Sequence, residues 1–254
     1  MHAVHRWLQL GALVERELFA SARRSERAQC VPTADALGSW CFRCGATLQR
    51  LNAPPPHWPP LACASCAGSS TPFTAVVRLG AHAEGWRDAV LAVKHGRDRR
   101  CGEQLGLRLA QQWTVAWDSL PSWRSACSGD WCAVPVPMPF ARRVERGIDH
   151  AHVIAKAFAR STSMQLMRVL WQQCGTNQAR LDRAARVARR GRMQWRTRTP
   201  FLRASVDMNA ARGVQQWVIV DDVTTTGATL REVAEVLRAV TPRARIAAAV
   251  VAVA

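Results

Sequence analysis

Two adjacent carboxylates, Asp221 and Asp222, run directly into Val223-Thr224-Thr225-Thr226-Gly227-Ala228-Thr229. Paired acids accept hydrogen bonds from vicinal hydroxyls. A small, hydroxylated, glycine-containing loop lets successive backbone N–H groups converge on one anion, with Gly227 supplying any positive φ that the turn needs. Four apolar, mostly β-branched residues, Trp217 to Val220, precede the acids and predict a buried parallel strand that stops at them. Thr229 to Val240 predicts a helix with Leu230, Val233, Ala234 and Leu237 on one side and Arg231, Glu232, Glu235 and Arg238 largely on the other. Such a unit suits a sugar phosphate, with phosphate on the loop amides and helix end and hydroxyls on the carboxylates. The plainer alternative is a strand-turn-helix with no ligand. It leaves unexplained the desolvation cost of two carboxylates at a buried strand end.

This stretch closely resembles the 5-phosphoribosyl 1-pyrophosphate (PRPP) binding motif of type I phosphoribosyltransferases. The resemblance implies that Asp221 and Asp222, the catalytic acidic pair, hold the ribose 2- and 3-hydroxyls, and that Thr224, Thr225, Thr226, Gly227, Ala228 and Thr229 bind the 5-phosphate. It further implies Mg²⁺ bridging pyrophosphate oxygens and ribose hydroxyls.

A second group of residues has metal-ligand spacing. Cys41-Phe42-Arg43-Cys44 and Cys63-Ala64-Ser65-Cys66 are two CxxC knuckles separated by 18 residues, the pattern of a four-cysteine zinc ribbon. Four thiolates fill a tetrahedral shell and leave no position open for catalysis, so the expected zinc is structural. Redox CxxC pairs or unused thiols are the alternatives. Cys30, Cys101, Cys127, Cys132 and Cys174 show no pattern. Nine cysteines is an odd number, and in a reducing compartment paired ones are metal ligands more often than disulfides.

Positioning these groups requires an α/β core, and 254 residues suffice for one main domain with a small appendage. The net charge is +17, and 33 of the 35 basic residues are arginine, lysine occurring only at 94 and 156. That usage fits GC-rich coding, yet a chain this basic attracts phosphates and nucleic acid whatever the origin of its arginines. No stretch reaches the roughly 20 apolar residues of a membrane span. Residues 1–29 carry charges throughout, with no signal-peptide core, so a cytoplasmic protein without membrane insertion is expected.

In chain order, the pattern predicts a helical segment (1–38, helix over 4–28), the zinc ribbon (39–70, with a proline-rich loop), and the main domain (71–254). Within that domain it predicts a strand over 73–79, helices over 86–93 and 102–117, and Ala133-Val134-Pro135-Val136-Pro137 as the first strand of a parallel sheet, its prolines at the C-terminal end. A helix over 151–160 and a final buried strand over 245–253 follow, with 190–213 loosely ordered.

The Lys94-His95-Gly96-Arg97 corner, the Val-Pro-Val-Pro strand, the double CxxC and the 217–230 motif together resemble the ComF family, the phosphoribosyltransferase-like proteins tied to bacterial DNA uptake, over roughly residues 40–254. The likeness implies a type I phosphoribosyltransferase-like (Rossmann-like) fold with hood-type segments about 71–130 and 165–213. It places Lys94, Arg143, Arg146, Gly147 and Arg186 on the pyrophosphate side. Ile148, Asp149 and His150 stand where the family has an aromatic, Asn and Gln. Gln178, Leu181 and Arg186 fit a further family pattern; Arg189 replaces its Asn, and Trp195 stands for the aromatic expected a few residues later. Arg180, Arg183, Arg186 and Arg189 recur every third residue along one side of a helix, which suits a hood over PRPP, a strip tracking a nucleic-acid backbone, or a solvated face.

Two functions stay open. One is an enzyme, a glycosyltransferase-class protein transferring a phosphoribosyl group from PRPP. The other is a non-catalytic accessory of competence and natural transformation that binds a phosphoribosyl compound, single-stranded DNA and a DNA-uptake helicase. The arginine stripe from 178 to 192 has no interleaved aromatic for base stacking, which weighs against the second.

Overall fold

The computed structural model describes residues 31–48, 63–66, 70–119, 130–172, 193–195 and 208–254. The expected helix over 4–28, the proline-rich loop and the arginine stripe with Arg186 lie outside the described residues.

The fold is α/β. Strands β1 (Val76–Ala81), β2 (Cys132–Pro135), β3 (Gln165–Leu166), β6 (Gln216–Thr224) and β7 (Arg245–Val253) form one sheet in the order β1-β7-β6-β2-β3. All four pairings are parallel. β6 and β7 read as unbroken apolar runs because both of their faces are covered. Trp217 and Ile219 of β6 point to one side, where they meet Leu230, Val233, Ala234 and Leu237 of helix α6 (Ala228–Val240). Val218 and Val220 point to the other. There they join Leu105, Leu109 and Trp113 of α2 (Arg99–Asp118) and Val153, Ile154 and Phe158 of α4 (His150–Ser161). The helix faces expected from sequence are therefore the buried ones.

The expected first strand is the second strand of the sheet, β2, because 76–81 pairs in parallel with β7 at the sheet edge. Pro135 closes β2, as a residue without an N–H donor must. The outer edge of β1 is covered by the chain before it. Val76 N–H donates to the Phe42 carbonyl (2.6 Å), Trp40 Nε1 to the Val76 carbonyl (3.0 Å) and Asp35 N–H to the Leu79 carbonyl (2.6 Å). An edge strand paired in this way offers few polar groups to another chain.

Three further helices and a small sheet complete the description: α1 (Glu84–Lys94), α3 (Phe140–Arg146), α5 (Met208–Gly213), and β4 (Leu170–Gln172) antiparallel to β5 (Met193–Trp195). Part of the stretch expected to be loosely ordered is thus regular. Gln172 pairs with Met193, so both ends of 173–192 come together; Met193 N–H also donates to Glu232 of α6 at 2.9 Å. No helix among the described residues is long and apolar enough to cross a membrane.

α2 and α4 approach closely through Gly102 and Gly106. A Cβ at 106 would collide with the Ile154 carbonyl oxygen and lie 2.7 Å from Ala157 Cβ, and both are parts of a helix that cannot yield locally. Gly106→Ala should therefore lower stability by about 1–3 kcal/mol in thermal or denaturant melts, outweighing the roughly 1 kcal/mol gain in helix propensity. Gly213→Ala meets nothing within 4 Å and serves as the neutral control.

Candidate functional site

β2 leads through α4 to β3 on one side, whereas β6 leads through α6 to β7 on the other. The two crossovers move in opposite directions along the sheet, so right-handed connections put α4 and α6 on opposite faces. The crevice between the C-terminal ends of β2 and β6 is then the switch point where open α/β sheets bind ligands. β2 ends with Pro135 opposite Val220, Val136 N–H donating to the Val220 carbonyl at 2.9 Å, while β6 continues beside β7 to Thr224. Asp221 and Asp222 border that crevice.

The acids lie inside the strand, not beyond it as expected, because β7 keeps pairing with β6 through Thr224. Pleating alternates their sides. Asp222 lies toward the face of α1, α2 and α4. There its Oδ2 stands 3.0 Å from Lys94 Nζ, at the end of α1, and 2.9 Å from His150 Nε2, in the first turn of α4. Val223 N–H donates to Asp222 Oδ1 (2.6 Å) and Asp222 N–H to Asp221 Oδ1 (2.9 Å). Burial pushes the Asp222 carboxyl up, but His150 and Lys94 together hold it down at about 2. Oδ2 is buried between those two nitrogens. Burial, and then the neighbouring Asp222 carboxylate, raise Asp221 well above the usual range and favour its neutral form.

Thr224 is buried in the strand, with its carbonyl accepting from Ala254 N–H at 3.0 Å. Thr225, Thr226, Ala228 and Thr229 are exposed on the turn into α6, and Gly227 takes the left-handed φ of 70°. Thr226 Oγ1 accepts from Ala228 N–H at 3.3 Å, and Arg231 donates to the Thr226 carbonyl at 3.0 Å. Arg231, expected on the solvated side of its helix, thus braces the turn as a cation beside it.

The Lys94–Arg97 corner and the 143–150 segment come together. Arg97 donates to the Glu145 carbonyl at 3.1 Å and packs over Gly147, where a Cβ would sit 3.0 Å from Arg97 Nε. Arg97 itself holds φ 53°, a left-handed conformation costing a non-glycine residue roughly 1–2 kcal/mol. Gly147, φ 67°, ends α3. The loop after β2 is therefore a short helix, in which Arg143 is buried with its guanidinium 5.6 Å from the Phe140 ring centre and Arg146 is half-buried. Asp149 caps α4, accepting from His152 N–H at 3.2 Å, and stands 3.7 Å from Arg168. Its charge serves the helix.

His150 and His82 escaped the sequence reading as functional residues. His82 follows β1, its N–H donating to the Val253 carbonyl at 2.7 Å. Burial lowers its pKa first, then Lys94 and Arg87, with Asp222 opposing. Neither histidine has a local spacing signal, since each reaches the acids only through the sheet order.

The four cysteines form the second centre. The Sγ atoms of Cys41, Cys44, Cys63 and Cys66 all lie within 4.8 Å of one another, and Cys44 and Cys63 are 3.7 Å apart. Zn–S bonds of about 2.3 Å in a tetrahedron require S···S separations near 3.8 Å, so the cluster fits a metal ion of that size. Cys63 N–H points to Cys41 Sγ (3.2 Å) and Ala46 N–H to Cys44 Sγ (3.5 Å), as donors that support thiolates. Burial pushes the Cys41 thiol up, but backbone N–H groups bring it to about 7; burial keeps Cys44 and Cys66 raised. Behind the knuckle, the fully buried Arg78 donates to the Gly45 carbonyl (2.8 Å) and pairs with Asp35 (2.7 Å). Compared with known proteins, the sequence matches no family model and no curated protein.

Proposed function

We propose that the chain is a type I phosphoribosyltransferase-like protein of the ComF kind, which binds PRPP at the C-terminal edge of its sheet and transfers the phosphoribosyl group to an acceptor. The observation that carries this reading is the acid pair at the β2/β6 switch point, one strand end away from the exposed Thr225–Thr229 turn into α6. Sugar hydroxyls on the acids would leave the 5-phosphate on the turn and α6 N-terminus, with Lys94 on the side of the second anionic group. The acceptor's nucleophilic atom forms a bond to C1 as the C1–O bond to pyrophosphate breaks, and that electron pair leaves with pyrophosphate. Positioning and cationic stabilisation of the leaving group are what these residues supply.

The acid pair as it stands does not fit Mg²⁺, since Asp222 Oδ2 already faces the Lys94 ammonium and the His150 ring nitrogen and Asp221 favours its neutral form. The four-cysteine cluster we assign to structural zinc, which closes the knuckle over the edge of β1.

The test is pyrophosphate release from PRPP across a panel of nitrogen acceptors in Mg²⁺-containing buffer. Acceptor-dependent release, abolished by Asp222→Asn, is expected. PRPP binding without release by any acceptor would leave a binding protein, and neither binding nor release would reject the proposal.

A further inference from the structure

Asp222 Oδ2, the atom on which a sugar hydroxyl would have to settle, is sealed from solvent by Lys94 and His150. The two covering groups are not equivalent. His150 has 9% of its side chain exposed and sits in the first turn of α4, a helix whose N-terminus is fixed by the Asp149 cap. Lys94 is 21% exposed, occupies the last residue of α1, and carries its charge on a flexible four-carbon stem with no fixed geometry. Of the two, Lys94 is the group that can withdraw. A withdrawn ammonium needs another anion to replace the carboxylate it leaves.

We propose that Lys94 is a ligand-operated latch: it covers Asp222 until a second anionic group of the ligand draws it away, so that the hydroxyl subsite opens to a sugar phosphate bearing pyrophosphate and stays closed to one with a single phosphate. The latch rests on the proposed function and adds to it a source of selectivity. A ligand with one phosphate must break the Lys94–Asp222 pair without compensation, whereas a pyrophosphate-bearing ligand exchanges one ion pair for another. Coupling of this kind is reciprocal: whatever frees Lys94 from Asp222 strengthens its hold on pyrophosphate. Arg97, strained and docked on Gly147, fixes the corner just beyond Lys94, so the exchange is a side-chain movement.

The test measures affinities for inorganic pyrophosphate, ribose 5-phosphate and PRPP in the wild type, Lys94→Met, Asp222→Asn and the double variant, with thermal melts to establish folding. Asp222→Asn should tighten pyrophosphate by about tenfold, the order of one charge-assisted contact, and should change it less than about twofold when Lys94 is already Met. Equal tightening in both backgrounds would reduce the effect to general charge and overturn the latch. Lys94→Met should weaken PRPP yet tighten ribose 5-phosphate several-fold, because the carboxylate is uncovered. If Lys94→Met weakens both sugars, the latch is wrong and the proposed function stands. Should the wild type bind pyrophosphate but neither sugar, the proposed function falls, and with it the latch. A wild type that binds none of the three also overturns both.

Discussion

Replacing Asp221 and Asp222 by Asn one at a time should move the stability of the fold in opposite directions. Asp222 is the counter-charge of the Lys94 ammonium and also faces the His150 ring nitrogen, so Asp222→Asn leaves the ammonium without it. The loss should fall toward the low end of the roughly 3–5 kcal/mol typical of a broken buried pair, because Lys94 reaches solvent. Asp221→Asn removes a carboxyl that burial and its neighbour already drive toward neutrality, and should leave stability unchanged or raised at neutral pH. The pH dependences differ in sign as well. Asp222, held at about 2, contributes stability that is present above about pH 4 and lost as pH falls through about 2. Asp221, with its folded pKa raised, is least costly below the unfolded carboxyl value and costs stability as pH rises through its own. Melts of the wild type and both variants between pH 2 and 8 should show Asp222→Asn flattening the acid limb and Asp221→Asn relieving the neutral side. Parallel losses at every pH would mean that the two acids share one structural role.

Metal removal should have the second large effect. Closing the knuckle through Cys41, Cys44, Cys63 and Cys66 holds Gly45 against Arg78, and releasing it strips that buried cation of a carbonyl acceptor and loosens the cover of β1. Structural zinc in small sites binds with roughly 10–16 kcal/mol of apparent free energy, and a buried donor that loses its acceptor costs about 1–3 kcal/mol. Protein purified without chelator should carry one zinc per chain, lose it on Cys44→Ser, and melt at a markedly lower temperature after either change. Zinc content unaffected by Cys44→Ser, or a melt indifferent to chelator, would contradict the assignment.

Local patterns in the sequence predicted what depends on local chemistry. The apolar runs of β6 and β7, the stripe Leu230-Val233-Ala234-Leu237 and the proline at the end of β2 follow from periodicity and from proline's missing donor, and they are where these rules place them. The double CxxC likewise foretold four converging thiols. What stayed hidden depends on long-range pairing. Nothing near Asp222 in the chain announces Lys94 or His150, 128 and 72 residues away, because the sheet order brings them there. The strand runs past the acids because β7 offers partners as far as Val253. Arg143, which the family likeness placed on the pyrophosphate side, is buried against Phe140, whose ring accepts the guanidinium. Asp149, which stands where the family has an Asn, is the cap of α4.

The most direct measurement of the central claim is a calorimetric titration of PRPP into the wild type and into the Asp221→Asn/Asp222→Asn double variant, each with a thermal melt. If the pair holds the ribose hydroxyls, the wild type binds and the double variant, still folded, loses one to a few orders of magnitude in affinity, since a charge-assisted hydrogen bond to the Asp222 carboxylate is worth roughly 1.5–3 kcal/mol and about 1.4 kcal/mol is a factor of ten. PRPP binding undiminished in the double variant, or no binding by the wild type, would contradict it.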